Sequence, residues 1–114
     1  MGQFASLESI IGKVFKSVTS DGETVWFEGA ESFSLYHEQD CCENVSIEDI
    51  CGDLSDLVDT PILHATEDSS YAESPDQSEQ WTFYHFRTIK GTVTIRFYGS
   101  SNGYYSTSVS LYKI

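Results

Sequence analysis

Apolar positions recur at two different spacings along this chain. Through most of it they alternate with polar ones. KVFKSVTS (13–20) and TVWFEG (24–29) are β-branched and aromatic runs on either side of Asp21-Gly22, a tight-turn dipeptide, and together they predict a β-hairpin. SFSLYH (32–37) sets Phe33, Leu35 and His37 against Ser32, Ser34 and Tyr36, which predicts a third strand. Ile62–Ala65 reads as a short fourth. WTFYHFRTI (81–89) and TVTIRFY (92–98) flank a Lys90-Gly91 turn. Ser101-Asn102-Gly103 then signals a type I′ turn, so that Tyr104–Tyr112 completes a meander. Period two points Val93, Ile95, Phe97, Val109 and Leu111 inward. It leaves Thr92, Thr94, Arg96 and Tyr98 on the other face, with Ser106, Ser108, Ser110 and Tyr112 outward on the partner strand.

The spacing changes between Ser46 and Val58. Ile47, Ile50, Cys51, Leu54, Leu57 and Val58 fall at helical offsets and form one stripe, with Ser46 as N-cap, Asp49 in the third position of a capping box and Pro61 as the stop. Gly52 weakens that helix by about 1 kcal/mol relative to Ala and can bend it. SLESIIG (6–12) predicts one or two further helical turns, capped by Ser6 and ended by Gly12. EDSSYAESPDQSEQ (67–80) is polar, acidic and nearly free of aliphatics, which predicts a flexible acidic loop. The expected architecture is a single domain over 1–114 of α+β class: an antiparallel sheet of about six or seven strands packed by one main helix (46–58).

Charge divides the chain. The net charge is −12, yet residues 21–79 hold seventeen acids and no Lys or Arg, while residues 80–114 hold four bases and no acid. Direct DNA or RNA binding needs a basic excess and is not expected. The longest apolar run is Val25-Trp26-Phe27, so no membrane span is expected. The start reads Met-Gly-x-x-x-Ser, an N-myristoylation pattern, but no basic patch follows as a second membrane signal. It has no basic start with an apolar h-region, and three cysteines are an odd number, so a reducing cytoplasm is the expected compartment.

Candidate chemistry concentrates in HEQDCCENVSIEDICGD (37–53). His37, Cys41, Cys42 and Cys51 supply four zinc-type donors, but without paired C-x2-C spacing, and Cys51 falls in the apolar stripe, where it reads as core. Carboxylates around Cys41 and Cys42 raise a thiol pKa, which argues against a thiol nucleophile. Asp40, Glu43, Glu48, Asp49 and Asp53 are hard-metal donors with no nucleophile or substrate group opposite them. Neither a resident metal nor a cofactor is expected, and no catalytic residue is assigned. The same acids, with Asp56, form a surface that can occupy a basic nucleic-acid-binding groove of another protein by charge complementarity. In the last third, Arg87 and Arg96 are phosphate donors. Tyr98, Tyr104 and Tyr105, with Asn102 in the adjoining turn, are groups on which a base could stack. Lys90, His85 and Tyr84 lie among them. Ordinary cross-strand packing explains such a face equally well.

HEQDCCENVSIEDICGDLSDL (37–57), WTFYHF (81–86) and TIKGTVTIRFYGSSNGYYSTSV (88–109), with LESIIGK before them, resemble a family of small uncharacterised proteins encoded mainly by tailed bacteriophages and prophages. The resemblance covers most of the chain and carries no active site with it. It implies a viral or prophage origin and a site of action in the host bacterial cytoplasm. Many phage proteins of this size counter host defence. The leading expectation is a non-enzymatic homo-oligomeric sponge that sequesters a nucleotide-derived immune signal. The alternative is an acidic protein that blocks a host defence protein by nucleic-acid mimicry.

Overall fold

The structure, a computed structural model, describes residues 3–38, 43–74, 77–101 and 107–114. Those residues form β1 (Gln3–Ala5), β2 (Phe15–Ser20), β3 (Val25–Gly29), β4 (Phe33–Tyr36), β5 (Asn44–Cys51), β6 (His64–Ser74), β7 (Gln77–Thr88), β8 (Gly91–Ser101) and β9 (Ser110–Lys113). Their helical content is two single 3-10 turns, Leu7–Ile10 and Leu54–Leu57. All strand pairs are antiparallel and fall into two sheets, ordered β1-β9-β4-β3-β2 and β5-β8-β7-β6.

The alternating segments behave as their period demands. At the β2–β3 turn the Asp21 carboxylate accepts the N–H groups of Glu23 and Thr24 at 2.9 and 2.8 Å, and Gly22 takes φ 97°, a conformation that favours glycine. Phe15, Phe27, Phe33 and Leu35 point from the first sheet, and Tyr84, Phe86, Val93, Ile95 and Phe97 from the second, into one core. The Phe27 and Phe86 rings meet across it with centroids 5.3 Å apart. Burying side chains of this size stabilises by about 1.5–3 kcal/mol each. This core holds the two sheets together. Among the described residues no helix is long and apolar enough to cross a membrane.

The fold is therefore nearly all sheet, and the expected α+β arrangement with a main helix over 46–58 is wrong. Residues 44–51 are a strand paired with β8. The register runs Ile47↔Phe97, Asp49↔Arg96, Ile50↔Ile95, so a β-bulge inserts one extra residue between Ile47 and Asp49. That insertion turns the two-residue spacing of inward positions into three, and Ile47 and Ile50 then imitate the i, i+3 step of a helix. Leu54 and Leu57 prolong the illusion from the following 3-10 turn. Gly52 bends no helix; it leaves β5 at φ 109°.

Two further expectations are corrected. Of the segment 67–80, residues 67–74 and 77–80 are strand rather than loop: β6 and β7 pair without a break from His64↔Arg87 to Ser74↔Gln77. The segment is polar because β6 is an edge strand, exposed on both faces from Thr66 to Ala72. The meander ends at β8, since β9 crosses to the other sheet and lies between β1 and β4. Val109 and Leu111 reach the core from there, as their alternation requires. Residues 6–12 do supply one helical turn, the 3-10 turn Leu7–Ile10 with Ser6 in the N-cap position, although the Ser6 side chain makes no capping hydrogen bond.

Candidate functional site

The outer face of the four-stranded sheet gathers the chemistry that the core excludes. Cross-strand pairing arranges it in rows. Ser46, Tyr98, Trp81 and Ser70 form one; Asp49, Arg96, Phe83 and Asp68 the next; Cys51, Thr94, His85 and Thr66 a third. Adjacent strands are about 4.8 Å apart, so each row spans about 14 Å. Trp81 and Tyr98 pack with centroids 5.3 Å apart, and the Tyr98 hydroxyl donates to Glu79 Oε2 at 2.5 Å. That bond holds the phenol pKa above its ordinary value. His85 lies between Thr94 Oγ1 at 3.0 Å and Asp68 Oδ2 at 3.4 Å. Trp81, Phe83 and His85 are all half-buried, an aromatic platform with carboxylates on its margins.

The bulge decides the electrostatics. It turns both Glu48 and Asp49 toward one guanidinium: Arg96 Nε stands 2.8 Å from Glu48 Oε1, and Nη2 stands 3.9 Å from Asp49 Oδ2. The nearer contact lies off the N–H axis, so it is an ion pair without an aligned hydrogen bond. The β2–β3 turn docks on the same edge, where Ile47 N–H donates to the Gly22 carbonyl at 2.7 Å. That contact carries two more acids, Asp21 and Glu23, to the edge on either side of Gly22, with Glu23 beside Asn44, Val45 and Ser46. Backbone N–H bonds from Glu23 and Thr24 lower the Asp21 pKa and keep it charged. Farther along the edge, Asp53 accepts the Ser55 N–H at 3.0 Å, which likewise lowers its pKa. The edge of β5 is thus an acidic ridge.

The model of a domain of unknown function, DUF7448, matches residues 8–111. The chain belongs to that family. Both long signature stretches, 37–57 and 88–109, lie inside the match. No curated protein and no solved structure matches the chain.

In this DUF7448 chain, Arg87, Arg96 and Tyr98 do share the outer face. Arg87 sits opposite Thr92, about four residues and 13 Å of strand from Arg96. Asn102, Tyr104 and Tyr105 lie outside the described residues, as do Asp40, Cys41 and Cys42. Of the acids expected on a protein-binding surface, Glu48 and Asp49 are on the ridge, Asp53 caps the second 3-10 turn and Asp56 lies within it. Glu43 is not on the surface: it is buried, with Oε2 3.8 Å from Nε2 of the equally buried His37 side chain. His37 Nδ1 donates to the Ser108 carbonyl at 2.6 Å.

Cys51 is also misplaced by the sequence reading. It is exposed, and its thiol donates to Asp49 Oδ2 at 3.4 Å, which raises its pKa. His37 adjoins Asn44 at one end of β5 and Cys51 ends the other, about 23 Å away, so these two of the proposed zinc donors do not meet. Among the described residues no three His, Cys, Asp or Glu side chains cluster as a metal site needs. Sequence reasoning missed Trp81, Phe83 and Glu79. The signal was present: WTFYHF carries aromatics at both phases of its alternation, so one set had to face out.

Proposed function

We propose that this DUF7448 chain is a non-enzymatic binding protein that docks its acidic ridge and adjoining aromatic face on a basic, nucleic-acid-binding surface of another protein. In the phage or prophage setting that the family resemblance implies, that partner is a host defence protein and the site of action is the host cytoplasm. One observation carries the reading: the bulge sets Glu48 and Asp49 together against the single guanidinium of Arg96, and the turn that carries Asp21 and Glu23 docks on the same strand at Ile47. Complementary charge of this density steers association and imitates a phosphate backbone. The test is capture of host proteins on the immobilised chain, followed by elution with competing duplex DNA. A partner released by duplex and by salt, and not captured by the Glu48→Gln/Asp49→Asn variant, supports mimicry. A partner indifferent to duplex sinks it.

The nucleotide-sponge reading retains support from Trp81, Phe83 and Tyr98, on which a base can stack. Its difficulty is the phosphate, since Arg96 is already faced by two carboxylates. Calorimetric titration with cyclic oligonucleotides and ADP-ribose decides it. No heat and no melting shift at millimolar ligand would end that reading.

A further inference from the structure

Four strands end the two sheets, and three of their edges are blunted. β1 has three residues. β2 carries a register shift between Phe15 and Ser17 and is bridged at Phe15 by Val58, with Pro61 bridging Val14 just before it. β5 carries the bulge and donates its Ile47 N–H to the Gly22 carbonyl. β6 has none of these devices: eleven residues pair with β7 in one unbroken register, and its sequence HATEDSSYAES contains no Lys, Arg or Pro. Among the described residues no strand pairs with its outer edge. The first 3-10 turn packs against part of β6, but a long, regular edge that no strand covers is a template for one more strand.

Beside that edge the two sheets part. A cleft of about 590 Å³ opens between β1 and β6, lined by Phe4, Leu7, Tyr84 and Val109 with the carboxylates of Glu8 and Glu67. No Lys or Arg lines it among the described residues. Its floor is apolar and its charge is uncompensated. Burial first, and then the Glu67 charge, pushes the Tyr84 phenol pKa far up. A strand added to β6 alternates its side chains between the outer face and this cleft.

We propose that β6 accepts an extended basic peptide as a fifth strand, with a Lys or Arg side chain entering the cleft against Glu67 and Glu8. A second copy of the chain is the weaker occupant on charge, because each β6 brings Glu67, Asp68 and Glu73 and no Lys or Arg. The surface is separate from the acidic ridge and stands if the proposed function fails.

The probe is a labelled ten-residue peptide alternating Lys and Thr, titrated against the full chain by fluorescence anisotropy. Two control peptides replace Lys by Glu, or carry N-methyl groups on alternate residues. Amide hydrogen exchange maps the contact. Binding of the Lys peptide should weaken at least about tenfold for both controls and severalfold in Glu67→Gln, with slowed exchange along 66–72. Trp81→Ala and Glu48→Gln/Asp49→Asn should leave it unchanged, which separates this edge from the ridge. Equal binding of the N-methylated peptide, protection confined to the outer face, or absence of binding at millimolar peptide overturns the proposal. So does a peptide-free dimer with β6 protected, which makes the second copy the occupant.

Discussion

Deleting Glu48 should be nearly harmless, whereas deleting Ser46 two positions earlier should not. Glu48 is the extra residue of the bulge, and the flanking pairs Ile47↔Phe97 and Asp49↔Arg96 become a regular ladder when it is removed. The deletion breaks the Glu48–Arg96 ion pair, whose side chains are 40% and 38% exposed. Screened pairs of that kind contribute about 0.2–1 kcal/mol, and Asp49 remains beside the guanidinium. Removing Ser46 instead forces a slip by one residue. Either Val45 turns out of the core, at about 1.5–3 kcal/mol, or the partly buried Ile47 and Ile50 do, at a comparable total. Urea denaturation followed by tryptophan fluorescence reads the difference as a midpoint shift at constant slope. The result that would refute the bulge is equal damage from the two deletions. A helix predicts damage from the Glu48 deletion at least equal to that from the Ser46 deletion, because losing Glu48 rotates Ile47 by about 100° against Ile50 and Leu54, whereas losing Ser46 removes only an N-cap worth about 1 kcal/mol.

Gly52→Ala should destabilise by about 2 kcal/mol or more, since φ is 109° and the new Cβ would lie 2.8 Å from the Thr92 carbonyl oxygen; a thermal melt checks it. Tyr84→Phe should lose about 1–3 kcal/mol by stranding the Val109 carbonyl, which now accepts the phenol at 3.0 Å. The folded Tyr84 pKa is raised above its ordinary 10.0, so its stabilisation is full below about pH 10 and is lost as pH rises beyond; urea midpoints between pH 9 and 11 should fall less steeply in the variant. Cys51 should alkylate more slowly at pH 8 than an unperturbed thiol, and faster in Asp49→Asn, because Asp49 holds its thiolate fraction down; peptide mapping after timed iodoacetamide treatment reads the site.

The strands with clean alternation were legible. Asp21-Gly22, the inward set Val93, Ile95 and Phe97, and the core direction of Val109 and Leu111 all follow from side-chain period and turn chemistry. What misled was each place where a long-range pairing changed the local count. The bulge at Glu48 lent Ile47 and Ile50 helical spacing, and no local signal distinguishes that from a helix. The polar run 67–80 read as a loop because an edge strand exposed on both faces need not alternate. The partner of β9 was invisible because crossing between sheets leaves no trace in period. Cys51 was assigned to the core on the strength of a helix that does not exist. As the last residue of a bulged strand, it faces solvent beside Asp49.

The same bulge brings the two rival functional surfaces into contact. The sequence separates an acidic half from a basic one and invites a choice between them. In the fold, β5 from the acidic half lies against β8 from the basic half, and Glu48 and Asp49 meet Arg96 directly. A phosphate approaching Arg96 must displace a carboxylate or share its guanidinium with two. A cationic group approaching the ridge gains from every acid and is opposed by one base that is already neutralised. Neutralising Glu48 and Asp49 should therefore move the two activities in opposite directions: weaker capture of a basic partner, and tighter binding of any anionic ligand that stacks on Trp81 and Tyr98. Double-mutant cycles between these acids and Arg96, read with both ligand types, measure that exchange on a single surface.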